Sequence, residues 1–586
     1  MFSALRVSGL ALALAFLSSQ TLAASKCQVM KLAELPVTME GLSPVTTGQI
    51  NGREARFIVD SGAFHSTMSA GAAQELGLSV GSLGVNARLK GVGGETSLGV
   101  TTAKEFVIAG QKLPRVEFAV GGSSTRYAGL LGQNILGIAG VEYDLGHGAV
   151  RIMKTKDCGD VSLTYWAGDK PFTLMRIEPM ENGDRHTLAT VEVNGVKLKA
   201  MFDTGASSSV LSLDAAKRLG VNPDKDGLPL EGFSWGVGQK RVRTWKARFD
   251  KIDIGGEVIS KPWLQIFDGA LGDADMLIGV DFFLSHRVFV DNQNHRMFFT
   301  YEGGPLFGIS PKGAVDKAGK TVDLTDKTAE PTDAPGYARR GAVLASNGKF
   351  DAAIADFDKA VALAPNDADY LLQRARAHLS NRQLLLGAAD LDKSVALDPK
   401  DAEARLTRAQ LRRGSRDPAG ALDDLKAADE NLAPSAQPRL RLARLYSALD
   451  APEQALTNYD LWLKSHPEDV GRAEALNGRC WARALLNREL DKAMSDCDAA
   501  LRLHPGDPAF LDSRALVRFR RGELEKALVD YDAAVKGSPR EAWSLYARGL
   551  VERRLGKVAE ADADKAKALA INPDVAARIK RYQLDG

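Results

Sequence analysis

Two stretches of this 586-residue chain end an apolar run in the same unusual way: FIVDSGAFHS at 57–66 and MFDTGASSSV at 201–210. In each, β-forming residues lead into an aspartate, then a small hydroxyl residue, glycine and alanine. One Asp-hydroxyl-Gly triplet says little, because a strand followed by an Asx-turn produces it. The second copy carries the weight, because its surroundings repeat in register. Asn51-Gly52 and Asn194-Gly195 each begin 9 residues before the aspartate, and Asn-Gly between β-rich runs signals a hairpin. AAQELGL and AAKRLGV then read as short helices closed by Gly77 and Gly220, each 17 residues past its aspartate. Further on, GLLGQN (129–134) and MLIGVD (276–281) place an apolar pair before Gly132 and Gly279, and Asp144 and Asp291 follow those glycines by 12 residues. The aspartate-to-glycine separations, 72 and 76, differ only in the segment between helix and apolar pair. A β-rich unit has been duplicated within the chain.

The termini of the duplicated region bear on where the protein works. Arg6 precedes an apolar run over 7–17, followed by SSQTLAAS. This layout predicts a signal peptide over 1–23, too short to span a bilayer. Export makes pairing the default for an even number of cysteines, and there are 4. Cys27 and Cys158 bracket the first unit, while Cys480 and Cys497 lie close together near the other end. Both pairs are expected as disulfides. A net charge of +2 gives no reason to expect nucleic acid or an anionic membrane as partner. The histidines are scattered without zinc-ligand spacing, so no metal and no cofactor is expected.

From residue 336 onward the chain turns rich in Ala, Leu, Arg and Asp with helical periodicity. Pro365, Pro399, Pro434, Pro467, Pro505, Pro539 and Pro573 recur at separations of 34, 35, 33, 38, 34 and 34. A period near 34 with helix–turn–helix content resembles tetratricopeptide repeats. The first repeat carries that pattern at Tyr337, Gly341, Ala353, Phe357, Ala360 and Pro365. About seven repeats are expected over 336–580, with Cys480 and Cys497 at positions where paired helices pack. Residues 304–335, rich in Gly, Pro, Lys and Asp, read as a linker, which leaves the mutual orientation of the two halves open.

The duplicated unit resembles the retropepsin type of aspartic peptidase, on IVDSGA and MFDTGA with the following LLGQN and LIGVD. The resemblance implies two all-β acid-protease-type lobes, here 28–158 and 160–303, paired about a pseudo-twofold axis, followed by an all-α tetratricopeptide solenoid. It also implies a chemistry. Two carboxylates about 3 Å apart cannot both ionise and share one proton, so Asp60 and Asp203 would act as acid and base on a bound water. Gly62 and Gly205 would allow the tight turns. Ser61 and Thr204 would hydrogen-bond across the lobe interface, with Ser61 standing where threonine is usual. Ala63 and Ala206 remove a further hydroxyl donor, which predicts activity at mildly acidic to near-neutral pH. LKGVGGETS (89–97) and FSWGVGQKR (233–241) would be substrate-binding flaps, with Gly91, Gly93, Gly94, Trp235 and Gly236 as contact residues; plain hairpin turns are the competing reading.

These features together describe an exported aspartic endopeptidase, periplasmic or secreted, acting as a monomer on protein or peptide. Its repeat array would bind a protein partner. The alternative is an inactive peptide-binding scaffold, against which both copies retain aspartate, hydroxyl, glycine and alanine.

Overall fold

The computed structural model describes residues 27–585 except 83–87, 92–93, 123–126, 160, 169, 180–185, 235–241, 308–313, 316–320 and 323–329. The expected signal peptide over 1–23 and most of the expected linker lie outside the described residues. An N-terminal β-rich half is followed by a helical repeat array.

Each duplicated unit forms its own sheet, of eight strands in the first lobe and nine in the second. The hairpins expected at Asn-Gly form, with Asn51 and Asn194 both at φ 50°. Strand Ser43–Ile50 pairs with Arg53–Val59, and Leu188–Val193 pairs with Val196–Phe202. The strand that ends at each aspartate also has a parallel neighbour. Gly129–Leu131 aligns with Phe57–Val59 in the first lobe, and Met276–Ile278 aligns with Ala200–Phe202 in the second. The aspartate-bearing strands start exposed and become buried toward the aspartate, with buried residues alternating with half-buried ones.

A six-stranded sheet joins the lobes. Its order is Gln28–Pro36, Ala149–Lys156, Gly140–Asp144, His286–Asp291, Arg296–Tyr301 and Thr173–Arg176. The two central strands come one from each lobe, with Val141 opposite Val290 and Tyr143 opposite Val288. The lobes are thus tied by backbone hydrogen bonds as well as by packing. Cys27 and Cys158, with an S–S distance of 2.08 Å, close the first lobe at the edge of this sheet.

In the array, seven antiparallel helix pairs run from Ala334–Ser346 with Phe350–Leu363 to Ala542–Arg554 with Val558–Ile571, and the short helix Val575–Arg581 follows. Each of the seven prolines stands just beyond the second helix of a pair, where its ring cannot disturb the hydrogen-bond ladder. Cys480 and Cys497, both fully buried, join the two helices of the fifth pair with Cα atoms 5.6 Å apart.

A ladder of arginines holds successive pairs together. Arg374 forks onto Asp390 of its own repeat at 2.8 and 2.6 Å and reaches Asp358 of the preceding repeat at 2.8 Å. Arg408, Arg514 and Arg548 repeat the arrangement with Asp424 and Asp392, Asp530 and Asp498, and Asp564 and Asp532. A planar guanidinium satisfies a buried carboxylate bidentately and keeps a donor for the next repeat.

The array packs on the first lobe. Ala342, Ala353, Phe357 and Ala377 belong to the same buried apolar cluster as Leu35, Phe57 and Tyr143. A second contact forms farther along the array. The Glu468 carboxylate accepts from the Ser97 N–H at 2.6 Å and from its Oγ at 2.5 Å, and the His466 imidazole lies against Gly71. The orientation left open by the linker composition is set by these contacts.

Candidate active site

Asp60 and Asp203 each stand at the end of a strand. The Asp60 N–H donates to Leu131 O at 3.0 Å and the Asp203 N–H to Ile278 O at 2.8 Å. In each lobe the apolar-apolar-Gly strand therefore holds the backbone that presents the carboxylate. The loops just after it are held alike, with Gln133 N–H donating to Ala63 O and Val280 N–H to Ala206 O, both at 2.8 Å.

The hydroxyl residues cross between lobes. Ser61 N–H donates to Thr204 Oγ1 at 3.0 Å, and Thr204 N–H donates to Ser61 Oγ at 2.9 Å. In turn Ser61 Oγ donates to Phe202 O at 2.9 Å, and Thr204 Oγ1 donates to Val59 O at 2.7 Å. Four hydrogen bonds thus clamp the two aspartate-bearing turns together, with Ser61 and Thr204 both buried. Serine in the first copy makes the same pair of bonds as threonine in the second.

The glycines stand in turns at 61–62 and 204–205, as expected, and serve a second purpose there. Neither Gly62 nor Gly205 has a positive φ. A Cβ on Gly62 would lie 2.3 Å from Asp203 Cγ, and one on Gly205 would lie 2.4 Å from Asp60 Cγ. Each glycine makes room for the carboxylate of the opposite lobe, so the two acid groups are seated crosswise.

Their environments differ. Asp60 is 9% exposed and its Oδ1 is buried without a hydrogen-bond partner. Burial, then the neighbouring Asp203 charge, push its carboxyl well above the usual range. Burial also raises Asp203, but hydrogen bonds from Asp60 and from the backbone of Gly205, Ala206 and Gly62 pull it back. Backbone hydrogen bonds from Ala63 and Gly62 likewise offset the rise at Asp60, and the two carboxyls titrate as one coupled pair that shares a proton. Such an arrangement presents a hydrogen-bond donor and a base to the same small volume.

Several supporting residues carry no label in the motif. Gln133 Nε2 donates to Ser61 O at 2.7 Å from a fully buried position. Ser66 Oγ accepts from Gly132 N–H at 2.9 Å and donates to Asn134 Oδ1 at 2.7 Å. The second lobe repeats this with Ser209, which accepts from Gly279 N–H at 2.9 Å and donates to Asp281 Oδ1 at 2.8 Å. Burial pushes Asp281 up to about 6 despite the Ser209 hydrogen bond. The signal for these residues is their shared offset: each serine follows its aspartate by six positions, and Asn134 and Asp281 follow their glycines by two.

Of the expected flap residues, Gly91 and Gly94 pair across the hairpin of Arg88–Gly91 with Gly94–Ser97. Gly93, Trp235 and Gly236 lie outside the described residues. Among the described residues no group of His, Cys, Asp and Glu is placed to hold a metal ion.

The aspartyl protease family model matches residues 46–135 and 189–282, one match per lobe and each spanning its aspartate. The two lobes are retropepsin-like aspartyl protease domains. The tetratricopeptide repeat model matches residues 334–367, the first helix pair of the array. Among curated proteins, the chain is similar to DNA damage-inducible protein 1 of Phaeosphaeria nodorum, 32% identical over 108 residues, covering 18% of this chain and 23% of that protein. It is also similar to UBA domain-containing protein Mud1 of Schizosaccharomyces pombe, 28% identical over 120 residues, 20% of this chain and 35% of that one. The chain therefore spans about a quarter to a third of these relatives. Among solved structures, a tetratricopeptide repeat protein from Parabacteroides merdae aligns with a TM-score of 0.33 at 16% identity, over 43% of this chain and 98% of that one.

Proposed function

We propose that the chain is an exported aspartic endopeptidase whose two protease domains form one intramolecular dyad, Asp60 with Asp203. The observation that carries this reading is the crosswise seating of the two carboxylates, each in the space left by the other lobe's glycine. Asp203, the ionised member, removes a proton from a water as its oxygen bonds to the scissile carbonyl carbon. Asp60 gives its proton to the carbonyl oxygen, yielding a neutral gem-diol. When the diol collapses, the C–N bond breaks, the amine leaves with a proton from Asp203, and a diol hydroxyl returns a proton to Asp60. Atoms and charge balance without an enzyme adduct or a metal. Ser61, Gly62, Thr204 and Gly205 hold the geometry, and the hairpin containing Gly91 and Gly94 borders the substrate.

The helical array would dock a protein partner or the substrate, as stacked repeats offer a continuous inner surface. Export rests on the apolar N-terminus and on the disulfides Cys27–Cys158 and Cys480–Cys497. No helix of the described residues is long and apolar enough to cross a membrane. The periplasm of a Gram-negative cell, or the medium, is the expected location.

The test is cleavage of a broad peptide library by the mature protein from pH 3 to 8, beside Asp60→Asn and Asp203→Asn. Turnover at mildly acidic to near-neutral pH, lost in both variants, is the expected result. Turnover that survives either single change would exclude one intramolecular dyad, and an inert wild type would favour the binding scaffold.

A further inference from the structure

The second half of the array carries an open, shallow depression of about 310 Å³, lined by Ser447, Tyr459, Glu474, Asn477, Gly478, Trp481, Ala509, Phe510, Asp512 and Ser513. It lies far along the sequence from the protease domains, and three successive repeats contribute to it. Glu474, Asn477 and Trp481 stand at i, i+3 and i+7 of helix Arg472–Leu485, so one face of that helix aims all three the same way. Helix Pro508–Arg520 supplies Phe510, Asp512 and Ser513. The Tyr459 ring forms a wall by lying on the Gly478 backbone, where a Cβ would be 2.3 Å from Tyr459 Cζ.

The chemistry of this lining is selective. It holds two carboxylates, an amide and three aromatic rings, and neither lysine nor arginine. Asp512 is 9% exposed and accepts from Ser544 Oγ at 2.6 Å. Burial pushes its carboxyl up to about 7, with Glu541 adding to the rise and Arg578 only partly opposing it. The Asn477 carboxamide oxygen is buried without a hydrogen-bond partner. Acceptors beside aromatic faces suit a planar, multidonor cation better than a compact ammonium.

The array already seats one arginine by this chemistry. Its C-terminal helix curls back so that Arg578 stacks over Trp543 at 4.8 Å and donates to Asp450 at 2.9 Å, 128 residues away. Trp543 in turn meets Trp481 edge to face at 5.1 Å, which makes the depression the continuation of an aromatic strip. We propose that this depression is a recognition subsite for an arginine side chain on an extended segment of the array's protein partner. The guanidinium stacks on the aromatic wall and donates to Glu474, Asp512 and Asn477 Oδ1. The inference rests on the array being a docking domain and does not depend on peptidase activity.

The full mature chain carrying Asp60→Asn, which prevents cleavage, is titrated into fluorescein-labelled nonapeptide pools. Their flanking positions are random and their centre is arginine, citrulline, lysine or norleucine. Fluorescence polarisation is expected to show the arginine pool binding about tenfold tighter than the citrulline and norleucine pools, a charge-assisted hydrogen bond being worth about that much. The preference should fall to near unity in Glu474→Gln/Asp512→Asn, with the melting temperature as a folding control. Equal binding of the arginine and citrulline pools would overturn the subsite while leaving a docking array. Lysine bound as well as arginine would overturn the planar-cation assignment. Binding by no pool would remove the docking reading and the subsite with it. Should the double variant fail to fold, the arginine–citrulline comparison on the parent chain still decides.

Discussion

The two protease domains carry nearly the same motif, yet their aspartates stand in different surroundings. Strand order around each aspartate, the parallel neighbour, the Ala carbonyl contact and the serine-to-glycine bond all recur in both. The environments diverge, however. Asp60 is the more enclosed and is pushed up by its partner's charge, whereas the hydrogen bonds around Asp203 hold it lower. The first domain also bears the contacts with the array, through Gly71 and Ser97. Duplication supplies symmetry, and differences in burial and in contacts with the array break it. Sharing a proton does not require that inequality, since two carboxyls held this close cannot both ionise whether or not they are equivalent.

The largest effect is expected from displacing either acid from its seat. Gly62→Ala or Gly205→Ala places a methyl group within 2.3 or 2.4 Å of the opposite Asp Cγ. Displacement of the carboxylate by even about 1 Å is expected to lower kcat roughly a hundredfold. Peptide turnover by each variant checks this, and wild-type rates in both would show that the crosswise fit is not required.

Next in size is the interlobe clamp. Thr204→Val leaves the Ser61 N–H and the Val59 carbonyl without partners, at a cost of about 3 kcal/mol. Ser61→Thr, which gives the first domain the second domain's motif, should change stability by less than about 1 kcal/mol. Urea unfolding of the two variants measures the asymmetry directly; equal effects would mean that the clamp contributes no net stability.

The protonation difference has its own pH signature. Asp60 has a folded-state pKa raised above its unfolded value, so its stabilising contribution is complete below about pH 4 and is lost as pH rises through the folded value. Asp60→Asn removes that loss. The variant should therefore match the wild type near pH 3 and melt a few degrees higher, about 2–4 °C, at pH 8. Asp203→Asn should gain less. Thermal melts across this range test the order, and a larger gain for Asp203→Asn would reverse the assignment of the proton.

The smallest effect concerns the first domain's contact with the segment between the fourth and fifth repeats. Glu468→Ala removes two hydrogen-bond acceptors of Ser97 and should cost about 1 kcal/mol or less at this exposed position. Faster hydrogen exchange of the Ser97 amide is the expected readout, and unchanged protection would show that other contacts hold this strand end.

The site was legible where chemistry is written in residue type and spacing. The repeated aspartate, hydroxyl and glycine, and the apolar pairs before Gly132 and Gly279, are local strings at fixed offsets, and each string has one strand–turn solution. Gln133 was not legible, because a glutamine after a glycine has no distinctive pattern until the fold brings its amide under Ser61 O. The crosswise space for the carboxylates escaped for the same reason: a glycine's neighbour from another lobe does not show in its own sequence context.

By itself, then, the amino-acid order determined the duplication, the pairing of Asp60 with Asp203 as candidates, and a helical array of period near 34, since these follow from local propensity and periodicity. Tertiary structure alone decided that both aspartates are buried against each other with raised carboxyl pKa values, since burial and charge are set by residues far apart in the chain. It also decided how the array meets the first domain, because Glu468 and Ser97 are 371 positions apart, and contacts at that distance depend on how whole repeats stack.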